Sequence, residues 1–360
     1  MPAEVVQVRT TDGWTLPMRH YSGPGEPVVL VHGLGANHYN WDFRAEVSPV
    51  DELVDLGFDV WVPGLRGDPD ATPPSRKARG AITFDQHAEL DVPAILDEIL
   101  TDSPHSQVLW VGHSMGGMLL YTTLSHSPDQ IRAGMAIASP VTFSNSLRNH
   151  KLLRRFGFLV ASKRGRVRAR GLARTFVGVR PLVRQVGDPE YLERALLKGL
   201  VKHALVDLPR PLLRQARVWL QEESLCHTDG RPWLDLDSTP LPSPPLLILG
   251  SPSDRIASDL DVAQACQVFA DCTYVELGTN SGFSHDYGHI DPIFGRTAEE
   301  EITPMIVDFL VQHSGTAAPT ALDDEVSAPD GGAQNGQVGV QDPIIVPAAD
   351  QGPDRSPDPK

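Results

Sequence analysis

At 360 residues the chain can hold one large α/β domain with an insertion, and its 41% apolar content suffices for a substantial core. A net charge of −15, from 31 basic against 46 acidic residues, argues against a general nucleic-acid binder. The three cysteines, Cys226, Cys266 and Cys272, are odd in number and lack metal-site spacing, so they read as reduced thiols rather than a disulfide scaffold.

The amino terminus carries no basic leader, and the longest apolar runs are far too short to span a bilayer; a soluble, cytoplasmic protein is expected. Residues 4–9 and 15–20 alternate like two strands turned by Thr11-Asp12-Gly13. Residues 27–32 form a continuous apolar strand ending in His32-Gly33-Leu34-Gly35. A short helix over 50–56 stops at Gly57, a buried strand spans 58–62, and residues 84–100 have helical spacing. An apolar run then reaches Gly112, a helical run covers 115–124, and 133–138 reads as another strand.

From 144 to 243 the pattern changes to amphipathic helices without strand-like runs, with stripes over 149–160, 191–205 and 211–221. Alternation resumes with a strand over 245–250, a helix over 261–269, a strand over 273–277 and a last helix over 298–312. Beyond Ser314 the composition has little to bury, which predicts a disordered acidic tail. The expected architecture is therefore α/β, a mostly parallel central sheet with helices on both faces. Its core takes residues 1–143 and 244–314, a helical cap takes 144–243, and the tail takes 315–360.

Gly112-His113-Ser114-Met115-Gly116 falls between a predicted strand and a predicted helix, the setting of a nucleophile elbow. A serine hydroxyl needs a base within hydrogen-bond reach and a carboxylate to orient that base. In chain order Ser114 is followed by Asp254, at the end of a buried strand, and by a loop carrying His285 and His289. Position favours His289 as the base, with His285 the alternative, and favours Asp254 over Asp259 and Asp261, which suit a helix start. His32-Gly33-Leu34-Gly35 follows a strand and could supply one backbone N–H, from Leu34, to an oxyanion, with Met115 supplying the second. His32 and His113 read as hydrogen-bonded scaffold residues.

These segments resemble the α/β-hydrolase superfamily, and within it the acid (gastric and lysosomal) lipase branch and related bacterial esterases. Thr11-Asp12-Gly13-Trp14, His32-Gly33-Leu34 with Asn40-Trp41, Gly57-Phe58-Asp59-Val60-Trp61, Arg66-Gly67, and Phe84-Asp85 with Asp91-Val92-Pro93-Ala94 are similar to that branch's segments. So are Asp254-Arg255-Ile256-Ala257 and His289-Ile290-Asp291 with Phe294-Gly295. The resemblance implies Ser114 as nucleophile, Asp254 as acid, His289 as base, and Leu34 and Met115 as oxyanion donors. It departs at Met115, where the branch has Gln, and the insertion matches no motif, so lipase specificity does not carry over.

The expected reaction is carboxylic-ester hydrolysis through an acyl-enzyme, with no metal or organic cofactor and a small-molecule or lipid ester as substrate. Activity should fall as the base is protonated, in the ordinary histidine range of about 6 to 7. Thioesterase, acyltransferase and carbon–carbon hydrolase chemistry use the same residues, and a non-catalytic binding protein of this fold is the alternative from another class. Twelve basic residues from Arg148 to Arg184 occur without an intervening Asp or Glu. They read as a solvated face, with weak contact to anionic membrane surfaces as the sharper alternative.

Overall fold

The computed structural model describes residues 3–43, 48–101, 103–145, 165–176, 179–236 and 238–315. One sheet contains β1 (Glu4–Arg9), β2 (Thr15–Tyr21), β3 (Pro27–Val31), β4 (Asp59–Pro63), β5 (Val108–His113), β6 (Ile131–Ile137), β7 (Leu246–Gly250) and β8 (Cys272–Glu276). Their order across the sheet is β1-β2-β4-β3-β5-β6-β7-β8. β2 is antiparallel to both neighbours, whereas every pair from β4 to β8 is parallel. The longer helices are α1 (Pro49–Asp55), α2 (Val92–Thr101), α3 (Met115–His126), α4 (Ala169–Phe176), α5 (Arg194–His203), α6 (Arg210–Glu222) and α7 (Thr303–His313).

The continuous apolar runs are explained by burial on both faces of the sheet. Side chains alternate along a strand, so Val29, Val31 and Trp110 enter one half of the core while Val28, Leu30, Leu109 and Val111 enter the other. The first half is closed by Ile95 and Ile99 of α2 with Met118 and Leu119 of α3; the second by Leu53 of α1 with Ile306 and Leu310 of α7. Because β3, β5, β7 and β8 are parallel, His32, Ser114, Asp254 and His289 all follow carboxyl ends on one edge of the sheet.

Three expected helices differ in detail. The helix expected over 84–100 starts as a short turn, Phe84–Gln86, passes through a π-helical turn, His87–Asp91, and continues as α2. The π turn holds buried Asp91, whose carboxylate binds His87 Nδ1 at 2.8 Å and Arg66 Nε at 2.8 Å. The helix expected over 298–312 breaks into Ala298–Glu301 and α7, and Pro304, which has no N–H to donate, sits in the first turn of the second piece. The one expected over 261–269 divides into Asp259–Ala263 and Ala265–Val268.

Among its described residues the insertion carries α4, a short turn of helix at Arg180–Val183, α5 and α6, with one departure from expectation: Arg166–Val167 and Leu208–Pro209 pair as a two-residue antiparallel ladder. The stripe over 149–160, the basic residues from Arg148 to Arg164, and the tail beyond 315 lie outside the described residues. On one side the insertion is tied to the loop after β3, where Val206 N–H donates to Gly35 O at 2.8 Å and Asn37 Nδ2 donates to His203 O at 3.0 Å. On the other it is tied to the loop carrying His289, where Ile290 N–H donates to Val186 O at 2.9 Å and Arg296 N–H to Tyr191 O at 3.0 Å.

The cysteine reading is also corrected. Cys266 and Cys272 form a disulfide, leaving Cys226 free and buried. The turn from Ala265–Val268 into β8 brings their Cα atoms to 5.1 Å, within disulfide reach. No helix among the described residues is long and apolar enough to cross a membrane.

Candidate active site

Ser114 stands between β5 and α3 with φ 54° and ψ −116°, a conformation that L-residues other than glycine rarely adopt. The surroundings hold it there. Ser114 N–H donates to Ile137 O at 2.8 Å, Gly117 N–H donates to Ser114 O at 3.1 Å, and Trp110 Nε1–H donates to Gly116 O at 3.1 Å. The flanking glycines are dictated by space: a Cβ on Gly116 would lie 2.1 Å from Val31 O, and one on Gly112 would lie 2.4 Å from Gly116 C. Gly116→Ala is therefore expected to lower unfolding free energy by ~3 kcal/mol through overpacking. A denaturant titration checks this; a midpoint equal to that of the unmutated chain would show that β3 yields freely.

The three residues predicted to act together do meet. His289 Nε2 lies 3.0 Å from Ser114 Oγ, and His289 Nδ1 lies 2.7 Å from Asp254 Oδ2. Asp254 is fixed from its other oxygen, because Oδ1 accepts Ile256 N–H at 2.7 Å and Ala257 N–H at 2.9 Å. His289 and Asp254 are each 6% exposed, so little water competes for these bonds. Asp259 and Asp261 lie in the first turn of Asp259–Ala263, as their positions suggested. His285 is elsewhere: its ring stacks on Tyr191 at 3.5 Å and on Tyr287 at 4.1 Å.

Leu34 and Met115 line one small cavity of about 20 Å³ together with Leu65, Val206 and Leu212. No hydrogen bond to another described residue occupies the backbone N–H of either Leu34 or Met115. His32 sets the orientation of the Leu34 amide. Its Nδ1–H donates to Gly33 O at 2.9 Å, and Ala36 N–H reaches the same oxygen at 3.2 Å. In a trans peptide the C=O and the following N–H point opposite ways, so holding Gly33 O inward turns Leu34 N–H outward. Burial pushes His32 down to about 4, which keeps the ring neutral and leaves Nε2 free to accept Leu65 N–H at 3.4 Å.

His113 supports the backbone of His289 from behind. Burial, aided by the neighbouring His289, pushes it down to about 3, so it is neutral with a single N–H. That N–H, on Nε2, donates to His289 O at 3.0 Å. Nδ1 can then only accept, and the Asn40 amide lies against it at 3.2 Å. We assign that amide with its NH₂ toward Nδ1, which also satisfies an Asn40 Nδ2 that is buried and otherwise unpartnered.

Sequence reasoning missed how its separate segments join. Arg66, its side chain fully buried, donates from Nε to Asp91 Oδ1 at 2.8 Å and from both terminal nitrogens to Asp12 at 2.9 and 3.1 Å. One guanidinium thus ties the β1–β2 turn, the loop after β4 and the π turn beneath the loop of His32. Among the described residues no cluster of three or more His, Cys, Asp or Glu is placed to hold a metal ion.

Residues 26–267 match the family described as the alpha/beta hydrolase fold. Lysosomal acid lipase/cholesteryl ester hydrolase of Homo sapiens is 32% identical over 143 residues, 36% of this chain and 36% of that protein. Gastric triacylglycerol lipase of Bos taurus is 30% identical over 168 residues, 41% of this chain and 42% of that protein. The chain thus spans well under half the length of the curated relatives it matches. Among solved structures, a thermophilic esterase from Thermogutta terrifontis superposes with a TM-score of 0.57 at 18% identity, covering 86% of this chain and 99% of the other. An enol-lactonase from Burkholderia xenovorans gives 0.57 at 18% identity, covering 85% and 99%. At such identities these two superpositions establish the fold alone, but the family match extends over more than half of the sequence, and the chain belongs to the α/β-hydrolase fold family.

Proposed function

We propose that the protein hydrolyses carboxylic esters through a covalent acyl-enzyme on Ser114. The observation that carries this reading is the hydrogen-bonded chain from Ser114 Oγ through His289 to Asp254, built on a serine with positive φ. Ser114 Oγ attacks the ester carbonyl while His289 Nε2 takes its proton, and Asp254 holds the imidazole with Nδ1–H toward its carboxylate. The carbonyl oxygen gains charge, and the free N–H groups of Leu34 and Met115 receive it. His289 then gives its proton to the leaving alkoxide. Water, deprotonated by the same nitrogen, splits the acyl-enzyme into acid and free serine.

The helical insertion, residues 144–243, acts in this reading as the cap that shapes the acyl and alcohol pockets. Among the described residues the cavity beside the two N–H donors measures about 20 Å³, room for one water-sized group. A space this small favours the shortest acyl groups over long chains, although the curated relatives are named lipases. A fluorophosphonate probe is expected to label Ser114 in the purified full chain, and p-nitrophenyl acetate or butyrate to give a kcat/KM at least ~10-fold above that for the palmitate. An unlabelled Ser114 would favour a binding protein. Faster turnover of the palmitate would reject the short-acyl reading.

A further inference from the structure

Asp291 is wholly buried, two residues after the proposed base, and the hydrolytic mechanism leaves it without a role. Its carboxylate accepts Gly288 N–H on Oδ2 at 2.6 Å. It also accepts Asp188 N–H, at 2.9 Å on Oδ2 and 3.1 Å on Oδ1. One side chain therefore joins the peptide just before His289 to the insertion at residues 187–188. The site is shaped around it: a Cβ on Gly187 would fall 2.2 Å from Asp291 Oδ1, and one on Gly288 would fall 2.9 Å from Oδ2.

The base-bearing tripeptide is thus held on three sides. Asp291 takes Gly288 N–H, His113 takes His289 O, and Val186 O takes Ile290 N–H. Two of these anchors act through the insertion or require it. We propose that Asp291 is a positioning residue for ester hydrolysis, whose ionised carboxylate holds the His289 loop and the 186–188 segment in register with Ser114. The proposal rests on His289 being the base of the reaction.

The electrostatic setting agrees with this. Burial pushes Asp291 up to about 7, and the carboxylates of Asp188 and Asp254 push the same way against the two backbone N–H donors. Tyr287, on the same loop, faces it as a neutral phenol, and Arg184 and Arg255 line the cavity bordered by Gly187, Asp188, Asp254 and Gly288 beside it. Protonation would place an O–H where donors already point, weakening the hold on Gly288 and Asp188. The stability sign is opposite. A carboxyl whose folded pKa is raised binds its proton more tightly in the folded chain, so this group favours folding as pH falls through about 7. Turnover lost there through Asp291 is not unfolding.

The test compares the full-length wild type, Asp291→Asn, Gly187→Ala and Ser114→Ala with p-nitrophenyl acetate between pH 5 and 9. Asp291→Asn is expected to lower kcat by ~10-fold or more at pH 8 while KM moves by less than ~2-fold. The acid limb of log kcat/KM should be steeper than one proton allows in the wild type and have a single-proton slope in the variant. Gly187→Ala, which pushes the carboxylate aside without removing it, should lose kcat in parallel. Amide exchange at Gly288 and Asp188 should quicken by ~10-fold or more in both variants. An Asp291→Asn enzyme with kcat within twofold of wild type and an unchanged acid limb overturns the proposal, as does exchange that stays slow in both variants. Absence of Ser114-dependent turnover in the wild type would instead reject the hydrolase reading, and the exchange measurement would still decide whether the carboxylate holds the loop.

Discussion

Ser114→Ala is expected to reduce turnover of p-nitrophenyl esters by roughly 10⁴-fold or more while leaving the chain folded. The size follows from the chemistry, since among the described residues no other hydroxyl is bonded to His289 Nε2 and what survives is the contribution of the two N–H donors and of binding. Folding should be spared because, among the described residues, Ser114 Oγ bonds only to His289 and makes no side-chain cap on α3. The strained φ of 54° is set by the backbone and persists with alanine. Steady-state kinetics with a thermal melt decide it. Turnover within tenfold of wild type, in a preparation free of contaminating esterase, would remove Ser114 from the reaction.

Asp254→Asn should cost nearly as much, roughly 10⁴-fold in kcat, by a subtler route. Asp254 Oδ1 accepts two backbone N–H groups, from Ile256 and Ala257, so the oxygen of an asparagine amide is drawn to that side. Its NH₂ must then face His289 Nδ1, where Oδ2 now lies at 2.7 Å. A donor there forces Nδ1 to accept, which moves the imidazole proton to Nε2 and points it at Ser114. The base then arrives already carrying the proton it should remove. Fluorophosphonate labelling should slow in step with kcat. Near-normal labelling would mean that Asp254 does not fix the tautomer.

Much of this could be read from the chain because the fold writes itself locally. Strand runs such as 27–32 and 107–112 and the Gly-x-Ser-x-Gly spacing depend on neighbours a few residues away, and they placed Ser114, Asp254 and His289 on one sheet edge. What escaped the reading joins distant positions. The Asp188–Asp291 link spans 103 residues, the His113–His289 link 176, and the Arg66–Asp12 pair 54. Each is made to a backbone group or a buried charge and leaves no periodic trace. Asp291 was visible only as part of a motif, and nothing in that motif marks Asp188 as its partner. The cysteine pair was missed for the opposite reason: its six-residue separation needed the geometry of one short turn to be recognised.

The two-sided attachment of the helical insertion has a consequence for how such a protein can change. Bonds from Val206 and His203 reach the loop that orients the Leu34 amide, and bonds from Val186 and Asp188 reach the loop of His289. In the proposed reading, the segment that shapes the substrate pockets therefore also braces the loops of Leu34 and His289. A graft that replaced it wholesale with a foreign segment would alter rate along with preference. Only exchanges that keep residues 186–188 and 203–206 as fixed seams would let specificity drift while chemistry stays constant.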